Sequence, residues 1–210
     1  RAAGTTGRPS SAVELTEAEV LSAAAPGDEG GVALGDVVQL YFRHKGLRSL
    51  CTPCAVDWGE LVSLRVLSLS HNELADIRPV ADLPVLADLN VNHNRICDLS
   101  PAFQCEGLEV LLAANNRVAS LEGPGLKVLR RLSLFSNELS DLDALVLHLA
   151  SLPALRSLDL GGNPCFQDAS QRYGLVRAVP QLAELDGERL GAVDRQLASE
   201  FFECAQEVGF

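Results

Sequence analysis

Several features that would assign the chain to a common functional class are missing from its sequence. The 210 residues include no Met, one Trp and only 5% aromatic residues. No apolar run approaches the roughly 20 residues that a membrane-spanning helix needs. No Asn-x-Ser/Thr glycosylation sequon occurs, which favours an intracellular protein. Because a translated chain normally begins with Met, we expect a sequence that starts at Arg1 to be part of a longer protein, and a targeting segment before it stays open.

Positive charge is also scarce. Seventeen Lys and Arg stand against 28 Asp and Glu, which gives a formal net charge of −11. An acidic chain of this kind is a poor direct ligand for nucleic acid or for anionic lipid. The apolar fraction of 47% and the length predict one domain with a packed core.

Leucine, by contrast, is abundant and recurs at unusual intervals. In the stretch LRVLSLSHNELADI, which begins at Leu64, leucines are separated by three, two and five residues. This spacing fits neither a helix nor a simple alternating strand. The pattern returns in register, at successive intervals of 22, 22, 21 and 26 residues, with later starts at Leu86, Leu108, Leu129 and Leu155. Five matches to L-x-x-L-x-L-x-x-N-x-L indicate leucine-rich repeats.

The spacing has a physical explanation in a stacked fold. Each unit supplies one short strand with alternate side chains pointing inward, and its later leucines fill the same interior. One unit cannot bury this surface, so stacked units share a continuous core. We therefore predict an α/β fold: a leucine-rich repeat solenoid of about six repeats, with a curved parallel sheet on its concave face and helical caps at both ends.

One Asn in each unit stands where the chain leaves its strand. Buried turn backbone needs hydrogen-bonding partners, and an amide can serve its own turn and the next repeat. The sequence thus predicts a structural ladder of amides, formed by Asn72, Asn94, Asn116, Asn137 and Asn163.

Both ends of the repeat array depart from the pattern. The first repeat has Lys45 in the Asn position, and the spacing of Thr16 and Glu19 predicts a capped helix over about 17–25 that closes the open end of the core. A turn is predicted at 26–31, a true helix in the stretch DLDALVLHLASL of the 26-residue unit, a helix over about 169–178, and a last strand near 182–185. We divide the chain into a disordered segment 1–12, an N-terminal helical cap 13–36, repeats 37–168, a C-terminal repeat cap 169–192 and a C-terminal helix 193–210.

Residues 37–190 resemble the short, roughly 22-residue class of intracellular leucine-rich repeat proteins. This class includes a nuclear regulatory subunit of protein phosphatase 1, the spliceosomal A-prime protein, axonemal dynein light chain 1 and many ciliary proteins. The C-terminal part is similar to the cap of that class, with Val179 in place of a Leu and with matches at Asn163, Pro164, Tyr173, Pro180, Leu182, Leu185, Asp186 and Gly187. The resemblance implies the fold more strongly than any function, because these proteins have unrelated partners.

Cysteines and histidines are the residues that could supply chemistry. Cys51 and Cys54 form a single CxxC, which is half a zinc site without a second pair or a nearby His, and we favour two cysteines in a long connection. Cys105 and Cys165 fall in leucine columns and are predicted to fill the core. Free thiols are consistent with a reducing compartment.

Three histidines share one column of the repeat: His44, His71 and His93. Adjacent strands lie about 4.8 Å apart, so their rings could approach one another and hold a metal ion. Histidine before the Asn is ordinary in such turns, and solvated turn residues are the favoured interpretation. No nucleophile with a base, phosphate loop or metalloprotease motif is present, so we predict no catalytic residue, no cofactor, no metal and no enzyme activity.

The most informative surface is the concave face, where solenoid proteins present their strands to partners. Val110, Leu112 and Phe135 are predicted to face solvent there, with a rim of Arg130, Arg131 and Arg156. Exposed apolar residues are common, and the chain's own tail could cover these. The predicted partner-binding residues are Tyr41, Arg43, Val66, Ser68, Asp88, Asn90, Val110, Leu112, Arg131, Ser133, Phe135 and Asp159.

These observations lead to a hypothesis of a non-catalytic scaffold or adaptor that binds a protein on its concave face within a larger complex. The resemblance suggests a place in the axoneme of cilia or flagella, or with dynein, and a cytoplasmic location. The alternatives are a regulatory subunit of an enzyme such as a phosphatase, or a ribonucleoprotein component acting through a protein, with a nuclear location. We predict no direct contact with nucleic acid or membrane.

Overall fold

A computed structural model describes residues 15–24, 33–50 and 56–207 of the chain, without the side chains of 202 and 204–207. Its centre is one eight-stranded sheet in which the strands follow each other in chain order. Strands β1 to β7 pair in parallel and β8 pairs antiparallel with β7. The strands are β1 (Gln39–Tyr41), β2 (Val66–Ser68), β3 (Asp88–Asn90), β4 (Val110–Leu112), β5 (Arg131–Ser133), β6 (Ser157–Asp159), β7 (Glu184–Leu185) and β8 (Glu188–Arg189). The predicted fold class is confirmed.

The register of the sheet aligns the repeated leucines. The central residue of each strand pairs with the central residue of the next, and these leucines are at most 1% exposed: Leu40, Leu67, Leu89, Leu111, Leu132, Leu158 and Leu185. Because each unit repeats this alignment, its leucines pack against those of both neighbours and form one continuous core.

In the two 22-residue units that start at Leu64 and Leu86, the side of the core opposite the sheet has short 3₁₀ turns, at Arg78–Asp82 and Ala102–Gln104, because so short a unit leaves little room for an α-helix. Further 3₁₀ turns lie at Leu34–Asp36 and Trp58–Glu60. The 26-residue unit has room for a true α-helix, α2 (Leu142–Ala150), as predicted. The Asp141 carboxylate caps this helix by accepting a hydrogen bond from the Ala144 N–H at 3.0 Å.

Helices close both ends of the core. The N-terminal helix α1 (Glu17–Ala24) begins at the predicted capping box, in which Thr16 N–H donates to the Glu19 carboxylate at 2.9 Å. Helices α3 (Ala169–Ala178) and α4 (Ala192–Glu207) follow the last repeat and pack against each other. The predicted helix over 169–178 is confirmed, as are residues 17–24 of the helix predicted over 17–25 and a helix in the described part of the tail.

The last strand differs from its prediction. The strand expected near 182–185 comprises only Glu184–Leu185, and it continues through a two-residue turn into β8. Asp186 and Gly187 have positive φ values of 52° and 79°, the backbone conformation that a tight hairpin with an Asp-Gly turn requires. Sequence analysis found the Asp-Gly pair but not the hairpin.

Some predictions lie outside the described residues: the disordered segment 1–12, the turn at 26–31 and the cysteines Cys51 and Cys54. In the described ranges, no helix combines the length and apolar character needed to cross a membrane.

Candidate protein-binding face

Parallel pairing without a shift in register places the outward side chains in straight columns across the sheet. One column passes through Val66, Asp88, Val110, Arg131 and Ser157, and a second through Tyr41, Ser68, Asn90, Leu112, Ser133 and Asp159. Because successive strands lie about 4.8 Å apart, side chains that follow one another in a column lie close together. Ten of the twelve predicted binding residues fall in these two columns, and Arg43 and Phe135 lie outside them.

Eight of the predicted residues surround one shallow depression of about 240 Å³ on the N-terminal half of the face. They are Tyr41, Arg43, Val66, Ser68, Asp88, Asn90, Val110 and Leu112. Val66, Val110 and Leu112 are half-buried and form its apolar floor, whereas Tyr41 is 46% exposed at one edge. The depression combines an apolar floor with polar groups at its edges, which is the usual arrangement of a recognition surface.

The Arg43 side chain is held in place over this depression. Its Nε donates to Ser68 Oγ at 3.0 Å, and its Cζ lies 5.5 Å from the centre of the Tyr41 ring. Tyr41 in turn donates from its hydroxyl to Gln39 Oε1 at 3.0 Å. A cation over an aromatic ring is attracted to its electron-rich face, so the ring of Tyr41 and the hydroxyl of Ser68 together hold Arg43 in one position.

Two of the predicted contact residues are buried. Ser68 and Ser133 are only 2% and 7% exposed, although their backbone positions lie on the concave side. Both side chains are short, and that of Ser68 is covered in part by Arg43, which donates a hydrogen bond to it. The prediction that both serines offer contact surface is therefore wrong. Val110 and Leu112 likewise lie half-buried rather than fully open to solvent.

The C-terminal half of the face is dominated by Phe135, which is 48% exposed. Its ring lies over Gly161, where an added Cβ would come within 3.2 Å of Phe135 Cε2. The absence of a side chain at Gly161 thus permits the ring to extend across the next repeat. Phe135, Ser133, Arg131 and Asp159 do not line the depression and lie farther along the sheet.

The expected arginine rim is partly engaged with the protein itself. Arg130 lies 3.5 Å from the Glu109 carboxylate, and Arg156 donates to the carbonyl oxygens of Pro153, Leu155 and Gln181. The contacts of Arg130 with Glu109 and of Arg156 with Gln181 connect residues of adjacent repeats. The two arginines therefore contribute to the stacking of repeats. Arg131 remains an exposed residue on the face.

The five predicted amides form one ladder that fixes the strand ends. In each rung Nδ2 donates to carbonyls of its own turn and of the preceding repeat, while Oδ1 accepts an N–H of the preceding repeat, as Asn94 does from Leu74 at 3.1 Å. The predicted bonds to the next repeat are wrong in direction, because each amide bonds to the preceding one. Asn94, Asn116, Asn137 and Asn163 are buried and Asn72 is half-buried. Lys45 takes the Asn position in the first described repeat, and its backbone N–H donates to Asn72 Oδ1.

The histidine column forms a stack along the edge of the face. The ring centres of His44 and His71 are 4.3 Å apart and those of His71 and His93 are 4.2 Å apart, with the planes nearly parallel. All three residues are exposed and have φ values between 54° and 57°, a turn conformation that His tolerates. Desolvation, followed by the charges of His93, His44 and Arg43, lowers the pKa of His71. Sequence analysis identified the column but not the stacking.

The metal alternative is not supported by this geometry. Lone pairs of ring nitrogens lie in the ring plane, so nearly parallel stacked rings do not direct them at one ion. Within the residues that the structure describes, no group of three or more His, Cys, Asp or Glu side chains could hold a metal. Cys105 and Cys165 are 3% and 4% exposed, which confirms their predicted place in the core, and burial raises the pKa of Cys105 to about 11.

Comparisons with known proteins agree with this architecture. The family model described as leucine-rich repeats (2 copies) matches residues 62–104 and 127–172. The matched residues lie almost entirely within the repeat array, and the chain has the fold of a short-repeat leucine-rich repeat protein. A search of curated proteins found no significant sequence match.

Solved structures of other leucine-rich repeat proteins share the fold. An internalin (inlF) of Listeria monocytogenes is 26% identical with a TM-score of 0.53, and the match covers 71% of this leucine-rich repeat chain and 41% of the internalin. A leucine-rich repeat protein of Leptospira interrogans is 26% identical with a TM-score of 0.58, over 71% of this chain and 37% of the other. The chain thus spans well under half of both bacterial proteins. The Drosophila melanogaster SNF/U2A' complex gives 24% identity and a TM-score of 0.51, over 78% of this chain and 80% of that chain.

Proposed function

We infer that the protein is a non-catalytic scaffold whose concave face holds a segment of a partner protein. The observation that carries this proposal is the depression lined by Tyr41, Arg43, Val66, Val110 and Leu112. Covering its apolar floor with a partner is favourable by roughly 25 cal/mol per Å² of apolar area removed from water. The leucine-rich repeat fold supports protein interaction in general, since its strands form an extended surface with fixed spacing.

The charges around the depression favour a partner segment of mixed character. Arg43 lies at one edge and Asp88 in the neighbouring column, so both signs occur within the same surface. Such a pair fixes the orientation of a bound segment more than it adds to affinity. The net charge of −11 disfavours nucleic acid as the direct ligand, and we include the absence of direct nucleic-acid binding in the proposal.

The cellular role rests on the resemblance to short-repeat proteins. On that basis we place the scaffold in the ciliary or flagellar axoneme, or with dynein, in the cytoplasm. The second candidate is a regulatory or adaptor subunit of an enzyme or of a ribonucleoprotein, in the nucleus. It is favoured by the similarity to a chain of the SNF/U2A' complex, because that likeness extends over most of both chains.

A quantitative affinity capture tests the proposal with matched variants. Tyr41→Ser combined with Leu112→Ser removes an exposed aromatic and part of the apolar floor, and Phe135→Ser tests the other half of the face. Leu147→Ser is the control, because Leu147 lies on α2 away from the sheet and is 75% exposed. Thermal melting confirms that each variant folds.

We expect partners captured by the native chain and by the control to be lost, by about tenfold or more, with the double variant. Axonemal proteins in the lost set support the first role, and a phosphatase catalytic subunit or spliceosomal proteins support the second. Capture that is unchanged by both concave-face variants, with intact folding, would remove this face from the proposal. A purified partner then permits a direct binding measurement with the same variants.

A further inference from the structure

The C-terminal helix α4 presents an apolar strip to solvent. Val193, Leu197 and Phe201 are 69%, 44% and 40% exposed. They are spaced four residues apart, so they follow one another along the same side of the helix. We call these three residues the α4 strip. A single exposed apolar residue is ordinary, but a row of three on one side of a helix forms a continuous surface.

The opposite side of α4 is fixed to the rest of the protein. Ala198 is 1% exposed, and the Arg195 guanidinium donates to the carbonyl oxygens of Pro180 at 2.9 Å and Leu182 at 2.7 Å. Phe201, at the C-terminal end of the strip, has its ring 5.3 Å from that of Tyr173 on α3, so Val193 and Leu197 are the more exposed part of the strip. These contacts determine which side of α4 faces outward, so the exposure of Val193 and Leu197 follows from how the helix is docked.

The two charged side chains of α4 beside the strip, Glu200 and Glu203, are both acidic. Gln196, Glu200 and Glu203 are exposed on the same outward side, and Gln196 donates to the Glu200 carboxylate at 2.7 Å. Arg195 is the one Lys or Arg in the sequence from 192 to 207. Its guanidinium is bound to backbone carbonyls at the C-terminal cap. The α4 strip is therefore bordered by carboxylates that no basic residue of the helix neutralises.

We propose that the α4 strip is a second docking surface, which binds an amphipathic segment of another protein carrying Lys or Arg beside its own apolar residues. Covering the strip removes apolar area from water, and basic residues placed beside it meet Glu200 and Glu203. A second copy of the chain would instead bring like charges together, with a net charge of −11 on each molecule. An anionic lipid surface is opposed for the same reason. This surface is on α4 rather than on the sheet, so the inference is independent of the concave face.

Two model peptides test the chemistry of the partner directly. The probe is a fluorescent 18-residue amphipathic helix made of Leu and Lys, and its counterpart has the same Leu positions with Glu in place of Lys. Fluorescence anisotropy of each peptide is measured against the purified full chain, at physiological and at raised salt concentration. We expect the Lys peptide to bind and to weaken with salt, and the Glu peptide to bind at least about tenfold more weakly.

Variants show whether the strip is the site. Val193→Ser combined with Leu197→Ser should weaken binding of the Lys peptide about tenfold, whereas Leu147→Ser on α2 should change it less than about twofold. Glu200→Gln with Glu203→Gln leaves the apolar residues intact and should weaken binding and reduce its salt dependence. Hydrogen exchange of the native chain should show protection by the peptide within 192–207.

Several outcomes would overturn the proposal. Equal binding of both peptides would remove the charge argument, and equal loss with Leu147→Ser or protection outside 192–207 would indicate general attraction to an acidic surface. A concentration-dependent dimer in sedimentation that disappears with the Leu197 variant would assign the strip to self-association. Binding to phosphatidylserine vesicles that depends on the strip would assign it to membrane.

Discussion

Replacing Asn94 by Ala tests the amide ladder at a rung inside the repeat array. The Asn94 side chain is 9% exposed, so water does not readily replace its hydrogen bonds. Its Oδ1 accepts from the Leu74 N–H at 3.1 Å, and its Nδ2 donates to the carbonyl oxygens of Leu69 at 3.0 Å and Val91 at 2.9 Å. The substitution removes all of these bonds at once.

The substitution affects the carbonyl acceptors of the rung and its N–H donor differently. The Leu69 carbonyl also accepts from Asn72 at 2.8 Å, and the Val91 carbonyl also accepts from Asn116 at 3.0 Å. Both carbonyls therefore keep one partner in the variant. The Leu74 N–H has its one described acceptor in the lost side chain, and its bond is buried. The main cost is thus one buried donor without a partner.

An unsatisfied buried group costs about 1–3 kcal/mol, and the space left by the carboxamide adds to this. We expect the free energy of unfolding to fall by about 2–3 kcal/mol, a large part of the 5–15 kcal/mol typical of a domain. In urea, where the slope for small proteins is about 1–3 kcal/mol per molar, the midpoint should fall by about 1 M.

Asn90→Ala is the matched control in the same repeat. Asn90 is half-buried, and its side chain accepts one bond, from the Asn92 N–H at 3.1 Å. Its loss should lower the free energy of unfolding by less than about 1 kcal/mol. If Asn94→Ala and Asn90→Ala shift the urea midpoint equally, the orphaned donor is not the source of the cost and the reasoning about shared carbonyls fails.

Three further predictions concern thiols, protons and the concave face. A thiol reagent should modify exposed Cys97 rapidly and buried Cys105 slowly in the folded protein, with equal rates in denaturant. Equal rates in the native state would contradict the assigned core. Burial lowers the pKa of His148, so as the pH falls the unfolded chain binds this proton at a higher pH than the folded protein does. The free energy of unfolding should therefore decrease as the pH drops below about 6.5, and above that pH His148 should cause no change in stability. In His148→Gln this decrease in stability with falling pH should be smaller, as measured by urea midpoints from pH 7 to 5. Gly161→Ala places a Cβ within 3.2 Å of Phe135 and should displace the ring, changing Phe135 resonances in NMR spectra and leaving the melting temperature within a few degrees.

The repeats could be predicted because their physical requirement recurs in the sequence. Each unit needs the same inward leucines and the same amide, so five independent copies confirm one register, and Leu67, Leu89 and Leu111 prove to be paired neighbours. The caps at Thr16 and over 169–178 were equally accessible, since local hydrogen bonds define them. Patterns that repeat along the chain, and hydrogen-bonding motifs that span only a few residues, can be recognised from the sequence alone.

Features that depend on neighbouring side chains were less predictable. An outward position does not reveal how far its side chain extends beyond its neighbours, so the burial of Ser68 and Ser133 was missed. The role of Gly161 beneath Phe135 depends on two residues 26 positions apart, and only its small size in an outward column was visible in sequence. The hairpin of β7 and β8 was missed because two-residue strands carry almost no pattern.

The uniform register of the sheet also bears on how such a chain can change in length. From the unit that starts at Leu64 to the one that starts at Leu155, each unit meets its neighbours through the same parallel pairing and the same kind of rung. A duplicated 22-residue segment, such as the one from Leu86 to the residue before Leu108, would therefore meet neighbours that already fit it. It would lengthen the sheet by about 4.8 Å and leave both caps locally unchanged. Material added after Asp186 has no such neighbour, because β8 reverses direction there and ends the parallel series. Gains and losses of repeats among related chains should accordingly fall in the interior, with the two ends inherited as fixed modules.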